Sequence, residues 1–217
     1  LSGRFDRNPQ QGLQLQESAV FAWLPTITSV SRQAIFSGKA PFYFPSSINS
    51  TDKEATLWSQ FWTSSGLTSG EVAYLRIQED NGTIELSDIV NRPSVKVIAI
   101  VINKVDRIMH GMELGAAGMH NQVRQWANEG FLISLFRILK ERGFSLIVTS
   151  DHGNIEARGF GSPSEGSIAE LRGERVRIYP DNILRNKVKD KFPEAIEWPQ
   201  VGLPDNYFPL IAPDRLA

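Results

Sequence analysis

Val95-Lys96-Val97-Ile98-Ala99-Ile100-Val101-Ile102 is apolar at seven of its eight positions. A run this short and this uniformly apolar predicts a strand, central in its sheet and covered on both faces. Residues 144–149 (FSLIVT) predict another strand, and residues 19–24 (AVFAWL) an earlier buried one. Residues 72–77 and 176–179 add two more.

Helical patterns lie between these runs. Residues 26–36 read as a turn and a short helix, with Gly38 as the stop. Residues 52–63 form a helix whose apolar side is Leu57, Phe61 and Trp58 or Trp62. Residues 117–142 read as one long helix, apolar at Val123, Trp126, Phe131, Leu132, Leu135, Ile138 and Leu139, and stopped by Gly143. Residues 182–191 look like a basic surface helix. The rest of 39–70 reads as irregular, 78–93 as polar and turn-rich up to the breaker Arg92-Pro93, and 154–167 as a mobile loop. The tail carries Pro193, Pro199, Pro204, Pro209 and Pro213. Strands alternating with helices predict an α/β fold, a mostly parallel sheet sandwiched by helices.

The length of 217 residues suits one domain, 1–217, within which 39–93 reads as a small cap insertion. A hydrophobic share of 41% and a charged share of 22% are ordinary for a globular chain. The net charge of −1 gives no electrostatic case for nucleic acid or an anionic membrane. With no Cys, thiolate metal sites are excluded, and a reducing, cytoplasmic setting fits. No stretch approaches the roughly 20 apolar residues of a membrane span, and no signal peptide opens the chain. Without an initiator Met, the polypeptide reads as a piece cut at both ends from something longer.

Two strand ends carry chemistry. Ser150-Asp151-His152-Gly153 follows the apolar run 144–149, placing a carboxylate and an imidazole where open α/β sheets keep their sites. Asp106 and His110 follow the run 95–102, four residues apart, so a helical turn there points both the same way. Asp151 and His152 are adjacent, and both ligate only in a bent turn, which Gly153 permits. Imidazole and carboxylate suit zinc or manganese. Four ligands in two clusters exceed what one tetrahedral ion needs, so two ions clamping a phosphoryl group is the sharper reading. Against it, Asp-His after a strand is equally an N-cap followed by a satisfied imidazole. Of the three histidines, two fall beside an Asp at a strand end. His120, inside the helical stretch, reads as solvated or capping.

The third element is Leu24-Pro25-Thr26-Ile27-Thr28-Ser29-Val30-Ser31-Arg32. A Thr hydroxyl at a helix start, among free backbone N–H groups, is placed to attack or hold a phosphate, and metal coordination would activate it. Taken alone, Thr or Ser there is more often an N-cap.

Together, LPTITSVSRQAIFSGKAP (24–41), VINKVDRIMHG (101–111) and VTSDHGN (148–154) resemble the PglZ domain of the alkaline phosphatase superfamily, found in bacterial phage-defence systems of BREX type and fused to some response regulators. The resemblance spans nearly the whole chain. It implies an alkaline-phosphatase-like fold and two divalent ions, zinc or manganese. Thr28 would be the nucleophile and touch a metal. Asp151 and His152 would bind the ion beside it, and Asp106 and His110 the second ion, which holds the attacking water. Arg32, one turn beyond Thr28, is a weaker candidate for a phosphate contact.

The superfamily also takes an Asp from its first strand and a late His. Asp6 follows no apolar run, so that role is not carried onto it, and no His follows His152. A piece lacking both is expected to bind metal incompletely. Two functions follow. One is a metal-dependent phosphatase or phosphodiesterase acting on a phosphoester, with nucleotide or nucleic acid as family-derived candidates. The other is a non-catalytic interaction module among partner proteins of a defence assembly, with the segment around Trp58 and Trp62 as a contact surface or a cap.

Overall fold

Thr28 begins a helix. In the computed structural model, which describes residues 16–77, 82–111, 115–161, 171–173 and 175–217, α1 runs Thr28–Ser37. Ile27 occupies the N-cap with extended backbone and no side-chain cap. Gly38, at φ 61°, closes the helix and donates its N–H to the Ala34 carbonyl at 3.0 Å. Only glycine fits there on two counts, since an added Cβ would also meet the Phe61 ring at 2.7 Å. Phe61 belongs to α2 (Glu54–Ser64), which packs on α1. Trp58 on α2 donates its indole N–H to the Ala73 carbonyl at 2.9 Å and stands edge-on to Phe36 of α1. The aromatic face of α2 is therefore half-buried between α1 and the first strand.

That strand, β1 (Val72–Ile77), lies parallel to β2 (Val97–Ile102), with Val72 opposite Val97 and Ile77 opposite Ile102. A parallel pair requires a crossover. Here it contains α3 (Gly82–Val90), so the reading of 78–93 as turn-rich is corrected. Leu86 and Val90, four residues apart, are buried, whereas Ile84 is exposed. Residues 78–81 lie outside the described residues.

Seven-residue α4 (Lys104–His110) follows β2 directly. The single long helix expected over 117–142 is two, α5 (Gly115–Asn128) and α6 (Phe131–Glu141), parted at Gly130, whose φ of 87° no helix interior accepts. On α6, Phe131, Leu135 and Leu139 recur every four residues and bury against Leu86 of α3, Trp126 of α5 and Leu75 of β1. Each fully buried leucine contributes about 1.5–3 kcal/mol.

Two expected strands do not form. Residues 144–149 have no ladder partner among the described residues. Phe144 and Leu146 pack against the core, while Ile147 is 93% and Val148 76% exposed. Residues 19–24 likewise join no sheet, and Val20 and Phe21 lie open. Apolar sequence favours extended backbone, but a strand also needs a neighbour for its N–H and C=O groups. The expected central place of β2 is corrected for the same reason: among the described residues it pairs with β1 alone and is half-buried.

The larger sheet is antiparallel, which corrects the mostly parallel sheet expected. Its strands β3 (Leu171–Arg172), β4 (Val176–Tyr179), β5 (Ile196–Glu197) and β6 (Phe208–Ile211) stand in the order β3-β4-β6-β5. Between β4 and β5 runs the basic helix α7 (Asn182–Lys191), N-capped by Asp181. Prolines disguise β6: Pro209 sits opposite Ile178 and, lacking an N–H, uses its carbonyl to accept from Trp198 at 3.2 Å. Part of the loop expected over 154–167 is also held, because Arg158 bridges Leu216 and Phe160 donates to the Ala217 carbonyl. Residues 162–170 lie outside the described residues.

α1 rests on this sheet. Val30, wholly buried, packs in one cluster with Ile178 and Tyr207. Among the described residues no helix is long and apolar enough to cross a membrane.

Candidate active site

Thr28 is the first residue of α1, and the cap position before it belongs to Ile27, so the hydroxyl of Thr28 does not cap its own helix. Its Oγ1 lies 3.2 Å from Nε2 of His152, across 124 residues of chain. Nδ1 of the same ring lies 2.9 Å from the Gly153 carbonyl oxygen. A carbonyl only accepts, so Nδ1 carries the proton of the neutral ring. Nε2 then offers a lone pair, and the Thr28 hydroxyl donates to it. Asp151 accepts the His152 backbone N–H at 3.1 Å and brings Oδ2 to 3.7 Å from Nε2. Both side chains are about a quarter exposed, 22% for His152 and 25% for Asp151.

Asp106 and His110 share one face of α4, as their spacing predicts, with Oδ1 and Nε2 3.5 Å apart. They are far more open, at 55% and 69% exposed. Among the described residues, Asn154, two residues past His152, joins the two clusters by donating to the Met109 sulfur, one residue before His110. Glu156 continues this approach, its Oε1 3.2 Å from where a Cβ would stand at Gly115, the first residue of α5. His120 is exposed on α5.

Arg32, four residues beyond Thr28, gives Nη2 to Glu54 Oε2 at 2.7 Å. Glu54 is fully buried at the start of α2. The same oxygen accepts from Arg76 Nη2 at 2.8 Å and the Tyr74 hydroxyl at 2.6 Å. Burial, then the bond to Glu54, pushes the Tyr74 phenol above its ordinary pKa. Burial works against the charge of Arg76, yet its bonds to Tyr74 and Glu54 prevail and raise it.

Sequence reasoning missed Glu54, Tyr74 and Arg76. An acid in a first helical turn reads as ordinary dipole complement. The one available signal was alternation in β1, where Tyr74 and Arg76 share a face opposite Leu75 and Ile77. It missed Gln33 too, wholly buried, whose amide donates to the Ser29, Ser47 and Ser50 carbonyls at 2.9, 2.7 and 2.8 Å.

The motifs around Thr28, Asp106 and Asp151 thus lie on neighbouring elements, and the family model of the BREX system PglZ alkaline phosphatase-like domain matches residues 8–217. The chain belongs to the PglZ family. No curated protein matches it. In this PglZ chain the donor chemistry suits divalent ions. Two ligands of a tetrahedral zinc stand roughly 3.3–3.6 Å apart, given bonds of about 2.0–2.2 Å. The Thr28–His152, Asp151–His152 and Asp106–His110 separations of 3.2, 3.7 and 3.5 Å bracket that spacing. Among the described residues no three His, Asp or Glu side chains gather to hold one ion.

Proposed function

We propose that this PglZ domain is a metal-dependent phosphoester hydrolase, a phosphatase or phosphodiesterase, with Thr28 as nucleophile. The observation that carries the reading is the Thr28 hydroxyl on the His152 lone pair, 124 residues away in the chain. In the first step Oγ1 of Thr28 bonds to phosphorus, the bond from phosphorus to the leaving ester oxygen breaks in line, and the hydroxyl proton passes to solvent, because the one lone pair of Nε2 would be committed to the ion. Water then attacks the phosphothreonine and restores the hydroxyl. Gly153 keeps the ring in the tautomer that accepts, and Asp151 fixes the turn that presents it.

Thr28, Asp151 and His152 would hold one divalent ion, zinc or manganese, and Asp106 and His110 a second. When bound, these ions neutralise charge on the phosphoryl oxygens and lower the pKa of oxygen nucleophiles. Arg32 contacts the phosphate. The substrate is a phosphoester, with nucleotides or nucleic acid the candidates from the family's setting. Residues 39–93 serve as a cap, supported by the packing of α2 on α1.

The test is hydrolysis of p-nitrophenyl phosphate and bis-p-nitrophenyl phosphate with and without added zinc or manganese. Thr28→Ala should cost on the order of a thousandfold or more in turnover. Unchanged metal-dependent turnover in that variant would overturn the nucleophile assignment.

A second reading, a non-catalytic PglZ-like module binding partner proteins of a defence assembly, is favoured by the apolar pair Ile147 and Val148, exposed just before Asp151. Absence of turnover on both esters at every metal concentration would select it.

A further inference from the structure

Two guanidinium groups and a phenol converge on a single oxygen of buried Glu54. Its other oxygen, Oε1, is buried with no hydrogen-bond partner among the described residues. A pair serving only to join α1, α2 and β1 would need one cation for one carboxylate. Here a second is present, and the cluster retains one positive charge in a place where Arg32 is 13% and Arg76 29% exposed. An unmatched charge so sheltered is costly unless an anion completes it.

Arg32 stands one turn from Thr28. Residues four apart lie on the same face of a helix, and side chains lean toward its N-terminus, so Arg32 is carried toward the hydroxyl. Among the described residues its one hydrogen bond is Nη2 to Glu54. A guanidinium has further N–H donors, and these remain for a ligand. Arg76 is anchored on both sides, giving Nη2 to the Thr51 carbonyl at 3.0 Å as well as to Glu54, and Nε to the Tyr74 hydroxyl at 3.3 Å. Of the two cations, Arg76 is tied down and Arg32 is presented.

We infer that Glu54, with Arg76 and Tyr74 behind it, is a positioning residue that fixes Arg32 as the cation receiving the phosphoryl oxygens of a substrate at Thr28. This rests on the hydrolase reading above and deepens it. Glu54 never touches the substrate and acts through Arg32, with Arg76 and Tyr74 holding the same carboxylate oxygen in place.

A double-mutant cycle on the full chain tests it, with Glu54→Gln and Arg32→Ala read as the affinity for inorganic phosphate, by calorimetry and by inhibition of ester hydrolysis. Glu54→Gln should weaken phosphate roughly tenfold to a hundredfold, the span of a charge-assisted hydrogen bond, and add nothing once Arg32 is Ala. Equal weakening in both backgrounds, or none in either, would overturn the inference. Should Glu54→Gln fail to fold, Tyr74→Phe, which removes one donor from the same oxygen, takes its place in the cycle under the same criteria. A wild type that binds phosphate calorimetrically but turns over no ester refutes the hydrolase reading, and the calorimetric cycle still decides on Glu54.

Discussion

Thr28 Oγ1 and His152 Nε2 meet at 3.2 Å, a helix start against a bend that follows a segment with no ladder partner among the described residues. Because Nδ1 is committed to the Gly153 carbonyl, the nitrogen facing the hydroxyl is the one able to accept. His152→Ala should therefore lower kcat/KM for a phosphoester by roughly a hundredfold or more, with the unfolding midpoint near that of wild type. Steady-state kinetics beside a urea melt separate the two.

Asp106 and His110 are open to solvent and bear little of the fold. Asp106→Asn and His110→Asn should each change stability by no more than about 0.5 kcal/mol. Each should also lower the zinc or manganese retained after dialysis by about one ion per chain. Elemental analysis of the dialysed variants checks this.

Glu71 predicts how the protein responds to acid. The Lys96 ammonium, then the Thr68 N–H and hydroxyl, hold its carboxyl down from 4.5 to about 2. A depressed carboxylate stabilises the fold above its unfolded pKa, and that contribution disappears as pH falls through the folded value. The stability gap between wild type and Glu71→Gln should thus be constant above about pH 4.5, shrink below it, and close near pH 2. Thermal melts across that window measure the gap.

α3 can be verified by two alanines two residues apart. Leu86 is wholly buried and Ile84 is 68% exposed. Leu86→Ala should cost about 2–5 kcal/mol, and Ile84→Ala under about 1. Equal costs in urea unfolding would contradict the helix.

Gln33 pins the 44–50 loop to α1 through the Ser47 and Ser50 carbonyls and the Ser47 hydroxyl. Gln33→Ala removes these bonds together with a wholly buried side chain, a loss of about 2–4 kcal/mol in an unfolding titration.

Patterns with a short period were readable in the chain. The helix over 28–37 with its glycine stop, the helix at 54–64, the strands at 72–77 and 97–102, and the helix at 182–191 all follow from local spacing and caps. The break at Gly130 was not read, although glycine inside a helical pattern is a local signal for one. The antiparallel sheet was not readable, because β3 and β5 are two residues long and β6 contains a proline. β3 and β6 exist through pairing with β4, and β5 through pairing with β6, which no local pattern encodes.

The candidate site divides the same way. Sequence alone supplied Thr28, Asp106, His110, Asp151 and His152 as residue types able to ligate and attack, because motif order and the strand-to-turn context are local properties. Spacing alone pairs Asp106 with His110, whereas tertiary structure decided that Thr28 meets His152 and that Asn154 lies against Met109. It alone put Glu54, Tyr74 and Arg76 around Arg32. A buried charge chooses its partners by the geometry of three separate elements, and residues 32, 54 and 76 share no spacing that a linear reading detects.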